Sequence, residues 1–199
     1  TWNLNAAISA SGVAWVVFDA QVGTRAEELF LAKLDGEPGS LARLSADDGV
    51  RSKYPDLALE GERAAITWFD ERDGNNEVYM AAGPVADLAQ SIDKHARRIT
   101  ITPGASIGAY VAWNAGQIGL AWSEDSGDNY EVLFQPFDAT ASPLAAARWL
   151  TETRANSMIP AIKPCGDGFV LAWDEVTPGE GGDAHDPSTR AEILFAIVR

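Results

Sequence analysis

The stretch RLSADDGVRSKYPDLALEGERAAITWFDERDGNNEVYM, residues 43–80, decides the fold because its plan recurs along the chain. The same plan begins again at Arg98 with RITITPGASIGAYVAWNAGQIGLAWSEDSGDNYEVLF and at Trp149 with WLTETRANSMIPAIKPCGDGFVLAWDEV. An earlier segment from Asn3, NLNAAISASGVAWVVFDAQVGTRAEELFLAKL, matches from its middle onward. These four copies repeat at roughly 50 to 60 residues, a period typical of propellers and solenoids.

The anchors of the repeat lie at matching positions in all or most copies. An apolar residue followed by Ser or Thr opens three copies, at Leu44-Ser45, Ile99-Thr100 and Leu150-Thr151. A second serine comes next, with proline three residues later in two copies: Ser52 with Pro55, Ser106 with Ala109, Ser157 with Pro160. An apolar run then ends in an aromatic residue, and a glutamate closes the motif: Phe18 with Glu27, Trp68 with Glu77, Trp122 with Glu131, Trp173 with Glu192.

Each copy predicts up to four short strands. Runs such as AAITWF, IGLAWS and FVLAWD are rich in β-branched, aromatic and small apolar residues and are bounded by Gly, Asp or Asn. A helical turn is expected only around Pro84 to Ser91. We therefore predict one all-β domain over residues 1–199, a β-propeller of four-stranded antiparallel blades. The predicted blades span approximately residues 1–40, 41–93, 94–146 and 147–199.

The strand count predicts an unfinished ring. In this interpretation the first copy begins at its second strand, so the first blade lacks a strand. An unfinished blade exposes unpaired N–H and C=O groups, which invite another strand. We therefore expect the chain to be part of a larger ring, or to be completed by another copy or a companion chain.

The motifs resemble a known family of repeats. The Ser-x-x-Pro motif, the run ending in tryptophan and the acidic Gly-Asn hairpin before Glu-Val-Tyr resemble bacterial β-propellers related to the sialidase, or Asp-box, superfamily. Asp70, Gly74 and Glu77 are similar to the Asp-box layout, although the strict order Ser-x-Asp-x-Gly-x-Thr-Trp is absent. The resemblance covers nearly the whole chain and implies a fold shared by glycosidases, lectins and interaction domains, so function must be argued from the site.

The charged stretch WFDERDGNNEVYM, residues 68–80, is interpreted first as a hairpin closure. Asp, Gly and Asn suit tight turns because they tolerate positive φ or bond their own backbone. The acid after each aromatic residue is expected to accept backbone N–H bonds or to pair with a nearby arginine; these acids are Asp19, Asp70, Glu124 and Asp174. The predicted structural residues of the hairpins are Asp70, Arg72, Gly74, Glu77, Glu131 and Glu192.

Calcium is the alternative for acidic loops, because it takes about six to eight oxygen ligands. The better candidate ligands are Glu180, Asp183 and Asp186, in the long insertion PGEGGDAHDPSTR of the fourth copy. The EF-hand order of acids is absent, since Arg72 occupies one ligand position of the Asp70 loop. No other cofactor is expected.

Candidate ligand-binding residues lie beside the turn NAGQ. Trp113 precedes this turn and has no counterpart in the other copies, so it is a candidate for stacking on a sugar, with Asn114 and Gln117 beside it. In contrast, Trp68, Trp122 and Trp173 recur at matching positions, which favours packing between blades.

Catalysis is the second interpretation. A sialidase-type site, as the resemblance implies, gathers three arginines, a tyrosine paired with a glutamate, and an acid/base aspartate. The spacing of the arginines and of Tyr54, Tyr79, Tyr110 and Tyr130 assembles no such set. His95 and His185 match no triad or metal motif.

Composition limits the partners and the location. The chain has 29 acidic against 15 basic residues and a net charge of −14, which repels phosphate backbones and anionic membranes. No apolar run is long enough to insert into a bilayer, and no leader follows Thr1, so any export signal is expected to have been removed. Cys165 stands alone and is expected to be buried.

These observations together predict an exported binding or scaffolding propeller without catalytic activity. It would be secreted, periplasmic or at the cell surface, and would recognise carbohydrate or protein, with no nucleic acid and no membrane insertion. The alternative is part of a sialidase-like glycoside hydrolase that another chain or segment completes.

Overall fold

The computed structural model describes residues 3–21, 26–35, 39–177 and 189–199, which form four antiparallel β-sheets in chain order. The first sheet holds β1 (Leu4–Ile8), β2 (Ala14–Gln21), β3 (Glu27–Leu34) and β4 (Leu41–Arg43). The second holds β5 (Ser52–Glu60), β6 (Arg63–Asp70), β7 (Glu77–Pro84) and β8 (Ala96–Arg98). The third holds β9 (Ser106–Asn114), β10 (Gln117–Asp125), β11 (Tyr130–Asp138) and β12 (Arg148–Trp149). The fourth holds β13 (Asn156–Cys165), β14 (Gly168–Thr177) and β15 (Arg190–Val198).

Consecutive strands pair as hairpins within every sheet, so each sheet is a small meander. The inner strands β1, β5, β9 and β13 contact one another in that order, which stacks the sheets as blades around an axis. The predicted all-β propeller architecture is confirmed. The expected helical turn is also present, as helix α1 (Val85–Gln90) and a turn of 3-10 helix (Ile92–Lys94) between β7 and β8.

The position of the missing strand differs from the prediction. The first blade has four strands, and among the described residues the three-stranded sheet is the fourth, which lacks an outer strand beside β15. The prediction that the first blade lacks a strand is therefore wrong. The error arises because the pair of an apolar residue and Ser or Thr follows the outer strand of one blade, whereas the sequence interpretation placed it at the start of the next.

Hydrogen bonds explain why these pairs belong to the preceding blade. The hydroxyl of Ser45 accepts from the N–H of Leu29 on β3 at 2.9 Å. Thr100 accepts in the same way from Val78 at 2.8 Å, and Thr151 from Val132 at 2.8 Å. The outer strand and its hydroxyl thus attach to the third strand. Consequently the hairpin at residues 71–76 joins the second and third strands of its blade, and the outer strand is Ala96–Arg98.

The core lies between the blades in three clusters of buried apolar residues. Trp68, Trp122 and Trp173 each contribute to one cluster, at 1%, 2% and 6% exposure. The interblade packing predicted for these three tryptophans is confirmed. Because each tryptophan buries about 150 to 250 Å² of surface, the repeated position is a main source of hydrophobic stabilisation.

Each of these tryptophans also donates to a buried acid two residues later. The indole Nε1 atoms of Trp68, Trp122 and Trp173 lie 3.2, 2.9 and 3.3 Å from the carboxylates of Asp70, Glu124 and Glu175. The same carboxylates accept from the hydroxyls of Ser52, Ser106 and Ser157 at 2.8, 2.7 and 2.6 Å. The motif serine and tryptophan therefore recur because they share one acid. The acid in the fourth blade is Glu175, so the expected role of Asp174 is wrong.

Two further observations complete the fold. Cys165 is exposed, at the hairpin between β13 and β14, so the expectation of a buried cysteine is wrong. In the parts of the chain that the structure describes, no helix has the length and apolar character needed to cross a membrane.

Candidate functional site

Two cavities follow the axis along which the inner strands meet. The first, of about 350 Å³, lies at the starts of β5, β9 and β13, the end of the blades that carries the hairpin at residues 71–76. The second, of about 240 Å³, lies further along the inner strands of all four blades. We call the first the axial cavity and the second the inner cavity.

Irregular inner strands shape the axial cavity. The pairing of each of β5, β9 and β13 with the next strand shifts register at a β-bulge. The bulges place Tyr54, Gly108 and Ile159 at positive φ, of 54°, 60° and 54°. Gly108 adopts this conformation readily, but Tyr54 and Ile159 precede prolines and pay a steric cost there. Non-glycine residues held in strained backbone conformations cluster at functional sites.

The neighbouring blades hold the two strained residues in place. The N–H of Tyr54 donates to Asp19 Oδ2 at 2.9 Å, and the N–H of Ile159 donates to Ser123 Oγ at 3.1 Å. Asp19 and Ser123 are both buried in the second strand of the preceding blade. The bulges are therefore fixed by contacts between blades, and their side chains project into the axial cavity.

The walls of the axial cavity are aromatic and aliphatic with a few polar groups. Tyr54 is 45% exposed and stacks on Phe69, with ring centroids 5.0 Å apart and an interplanar angle of 13°. The ammonium of Lys53 lies 5.5 Å from the Phe69 ring centroid. Asn76 lines the cavity, and its Oδ1 accepts no hydrogen bond from the described residues. Such a mixture of apolar surface and few polar groups is typical of small-molecule sites.

Tyr110 links the axial cavity to a buried carboxylate. Burial raises the pKa of the Tyr110 hydroxyl, and the nearby charge of Asp56 raises it further. Asp56 is 6% exposed and lines the inner cavity together with Asn5 and Lys163. Burial raises the pKa of the Asp56 carboxyl, which accepts from the N–H of Val111 at 2.8 Å and from Asn5 Nδ2. A buried carboxyl with a raised pKa in a cavity is a common sign of a functional residue.

The two cavities offer binding chemistry more clearly than hydrolytic chemistry. Glycosidases generally use two carboxyl groups at set separations across the scissile bond. Asp56 is the one carboxylate among the described residues that line the axial and inner cavities. Tyrosine hydroxyls, an amide and an ammonium are present instead, and these groups can hydrogen-bond sugar hydroxyls while aromatic rings cover the apolar sugar face.

Trp113, Asn114 and Gln117 lie at the opposite end of the blades from the axial cavity. Trp113 is 6% exposed, belongs to the core between the second and third blades, and donates from Nε1 to the Ala58 carbonyl at 3.1 Å. Asn114 Nδ2 donates to the carbonyls of Gly168 and Gly166 at 2.6 and 3.2 Å, tying its hairpin to the fourth blade. Gln117 is exposed. The Trp113 side chain is thus largely covered by protein, and Trp113 lines the inner cavity and not the axial cavity.

The acidic hairpin of the second blade surrounds Asp70 with donors. Asp70 is fully buried and accepts from the backbone N–H of Arg72 at 3.0 Å and from its Nε and Nη2 at 2.9 and 2.6 Å. Burial by itself would raise the pKa of Asp70, but the hydrogen bonds from Arg72 and Ser52 outweigh it, and the pKa is lowered. The guanidinium of Arg72 also lies 4.8 Å from the Tyr79 ring centroid. Gly74 supplies the turn, at a φ of 99°.

A glutamate near the start of the third strand of a blade accepts hydrogen bonds from the segment that follows the outer strand. Glu77 accepts from Arg98 Nη2 and from the N–H of Thr102, both at 3.0 Å, and from the Thr100 hydroxyl. Glu131 accepts from the N–H of Thr153 at 2.7 Å and from Asn129 Nδ2 at 2.8 Å. In the first blade the matching residue is Glu28, which accepts from Ser45, and not Glu27 as the sequence spacing predicted. Glu192 is exposed beside the outer edge of β15, with which no described strand pairs.

The candidate calcium ligands Glu180, Asp183 and Asp186 lie outside the described residues. Within residues 3–21, 26–35, 39–177 and 189–199, no group of three or more His, Cys, Asp or Glu side chains is placed to hold a metal ion. Calcium binding by the insertion therefore stays a prediction.

Sequence reasoning missed the axial residues, although a signal was present. Tyr54, Gly108 and Ile159 occupy the third position of the Ser-x-x-Pro motif, directly before Pro55, Ala109 and Pro160. The residue at this position indicates a β-bulge only when the pairing register of the inner strands is known, and the sequence alone does not show that register.

Comparisons with known proteins establish the fold. No protein-family model and no curated protein matches the sequence. A GH93 α-L-arabinofuranosidase of Fusarium graminearum with arabinobiose is similar in structure, with a TM-score of 0.65 and 8% identity over 98% of this chain and 61% of that chain. A GH43 endo-arabinanase from Bacillus licheniformis has a TM-score of 0.56 and 14% identity over 98% and 72% of the two chains.

A subtype N10 neuraminidase-like protein, from A/little yellow-shouldered bat/Guatemala, has a TM-score of 0.59 and 8% identity over 95% and 57% of the two chains. The chain therefore spans between 57% and 72% of the length of these three proteins. At such low identities the likeness shows a fold and not an activity. The chain has the β-propeller fold that glycoside hydrolases and a neuraminidase-like protein also have.

Proposed function

We propose that this chain is an exported carbohydrate-binding propeller that holds an oligosaccharide in the axial cavity without cleaving it. The observation that carries the proposal is the pair of strained residues, Tyr54 and Ile159, whose side chains line the cavity together with Phe69 and Tyr110. Backbone strain of this kind costs about 1 to 3 kcal/mol per residue. Contact of the two side chains with a ligand would explain why the protein keeps these strained residues.

The chemistry of the cavity supports a sugar ligand. The exposed ring of Tyr54, which stacks on the buried Phe69, offers a flat apolar surface, while Lys53, Asn76 and Tyr110 bring polar atoms to the cavity. Sugars combine apolar C–H faces with hydroxyl groups at their edges, so they match such a surface. The structural neighbours that act on arabinose-containing substrates favour arabino-oligosaccharides as the first ligands to test.

Replacing Tyr54 by alanine is expected to weaken binding of an α-1,5-linked arabino-oligosaccharide about tenfold or more. The substitution removes the exposed ring that stacks on Phe69, and aromatic anchors of this kind typically contribute about 2 kcal/mol or more. Isothermal titration calorimetry measures the change.

Trp149→Ala is the matched control, because Trp149 is 46% exposed but lies on the outer strand of the third blade. The affinity of the Trp149→Ala variant for the arabino-oligosaccharide should equal that of the unmodified chain. Equal affinities for the Tyr54 variant and the unmodified chain would contradict the proposed site. If the chain binds sialyllactose and not arabino-oligosaccharides, and Tyr54→Ala weakens that binding, the proposed site stands and the proposed ligand class is wrong.

Hydrolysis by a glycosidase-type reaction is the second candidate function. It is favoured by one observation: the Asp56 carboxyl is 6% exposed and lines the inner cavity. Burial raises the pKa of this carboxyl, which is the direction that suits a general acid. A second carboxylate would have to come from outside the described residues that line the cavities. Release of reducing sugar that Asp56→Asn abolishes would support this candidate, and retention of intact oligosaccharide supports binding alone.

A further inference from the structure

The outer edge of β15, the last strand of the fourth blade, pairs with no described strand. The corresponding edge in each of the other three blades pairs with an outer strand. In each of the first three blades, a backbone N–H near the start of the third strand donates to a Ser or Thr hydroxyl that follows the outer strand. In the first two blades, the glutamate before that N–H also accepts from the same hydroxyl. The two complete sets are Glu28, Leu29 and Ser45, and Glu77, Val78 and Thr100. In the third blade Val132 donates to Thr151, and Glu131 accepts from the N–H of Thr153 instead. Glu192 and Ile193 occupy the matching positions on β15, and no described residue fills the hydroxyl position.

One apolar face of the fourth blade is also exposed, whereas the corresponding faces of the second and third blades are covered. Ile193, Phe195 and Ile197 are 69%, 74% and 59% exposed. The matching residues of the second blade, Val78, Met80 and Ala82, are 0%, 0% and 6% exposed because the third blade covers them. In the third blade, Val132 and Phe134 are 0% and 3% exposed beneath the fourth. A row of large apolar side chains at positions that are otherwise buried marks an interaction surface.

We infer that β15 is the docking edge for a separate β-strand that carries an apolar residue followed by Ser or Thr, and that this strand leads into a further blade covering Ile193, Phe195 and Ile197. The hydroxyl of the docked strand accepts from the Ile193 N–H and donates to the Glu192 carboxylate. The residue before the apolar position is Arg in two of the three existing examples, Arg43 and Arg98. Because Arg98 donates to Glu77, a basic residue at that point would pair with Glu192.

The pattern favours a separate segment over a second copy of the described strands. Each described outer strand is already paired within its own blade, and each of the three hydroxyls that follow them is already bonded there. The described strands of a second copy could supply an outer strand with its hydroxyl only by giving up one of these contacts, and pairing through a second β15 would supply no Ser or Thr hydroxyl. Strand addition to an open edge gains main-chain hydrogen bonds, while the alternate side chains set specificity.

A peptide with the sequence of residues 95–104, HARRITITPG, tests the inference because it copies an outer strand of this chain. Titrated at up to millimolar concentration into the ¹⁵N-labelled protein, it should shift the amide resonance of Ile193 and of its neighbours on β15. The same peptide with Thr100→Val should bind about tenfold more weakly, because the hydroxyl that bonds a carboxylate is lost.

Two protein variants sharpen the test. Glu192→Ala should weaken binding of the unmodified peptide to a similar extent, whereas Asp167→Ala, at an exposed position in the hairpin between β13 and β14, should leave it unchanged. The inference is overturned if β15 resonances do not move, or if the two peptides bind equally. It is also overturned if sedimentation shows self-association that protects the Ile193 amide and that Phe195→Asp abolishes, because the occupant is then a second copy.

Discussion

Asp70→Ala is expected to lower the free energy of unfolding by about 3 kcal/mol or more. The carboxylate is fully buried and accepts hydrogen bonds from the Ser52 hydroxyl, the Trp68 indole and three donor groups of Arg72. Removing it leaves the hydroxyl and the indole without their acceptor and leaves Arg72 without its counter-charge. This loss of unfolding free energy lies at the lower end of the range for breaking a buried ion pair, because the Arg72 side chain is 36% exposed and can reach water.

Chemical denaturation measures this change, and a thermal scan should show a decrease of roughly 6 to 12 °C in Tm for a domain of this size. Asp167→Ala is the control: its ion pair with Arg199 joins side chains that are 77% and 75% exposed, so its effect should stay within about 0.5 kcal/mol. Equal effects of the two substitutions would show that the shared acid does not hold the blade together.

The pH dependence of stability gives the same prediction a second readout. The pKa of Asp70 in the folded chain lies below its ordinary value of 3.8, so the ionised carboxylate favours folding. This stabilisation is complete above the ordinary pKa and is lost as the pH falls through the lower pKa of the folded state. Between the unmodified chain and Asp70→Ala, the stability difference should therefore shrink as the pH is lowered below about 4.

The second large effect is expected for Trp122→Ala, at about 3 to 5 kcal/mol. Trp122 is 2% exposed and lies in the core between the second and third blades, so truncation leaves a cavity between two rigid sheets. The substitution also removes the Nε1 donor that lies 2.9 Å from the Glu124 carboxylate.

Trp122→Phe separates these two contributions. Phenylalanine keeps most of the buried surface and loses the hydrogen bond, so its cost should be about 1 to 2 kcal/mol by urea denaturation. Trp149→Ala removes an indole that is 46% exposed and should cost less than either. A Trp122→Phe variant as unstable as Trp122→Ala would assign the main role to the hydrogen bond and would contradict the packing account.

The repeat predicted the number and kind of blades but not their limits. A ring of similar units has no natural first strand, so the repeat alone does not assign Leu44-Ser45 to one blade over the next. The bonds from Leu29 to Ser45 and from Ser45 to Glu28 decide the assignment. The choice between Glu27 and Glu28 failed for a related reason: adjacent residues on a strand point to opposite faces, and only the pairing register distinguishes them.

The candidate site was harder to predict because it depends on backbone conformation and on burial. Trp113 was a sugar-stacking candidate from its isolated position, and the structure places it in the core between two blades, where it lines the inner cavity and donates to the Ala58 carbonyl. Tyr54 and Ile159 carry no chemical signature of binding. They become candidates only because β-bulges in three neighbouring strands turn them toward one axis at positive φ.

Chemical-shift mapping with an α-1,5-linked arabino-oligosaccharide tests the axial site most directly. The account predicts that the largest amide shifts in the ¹⁵N-labelled chain fall on residues 53–54, 69, 76, 107–110 and 158–159, which line the axial cavity. Shifts confined to residues 113–117 at the opposite end of the blades, or a spectrum that does not change at saturating sugar, would contradict it.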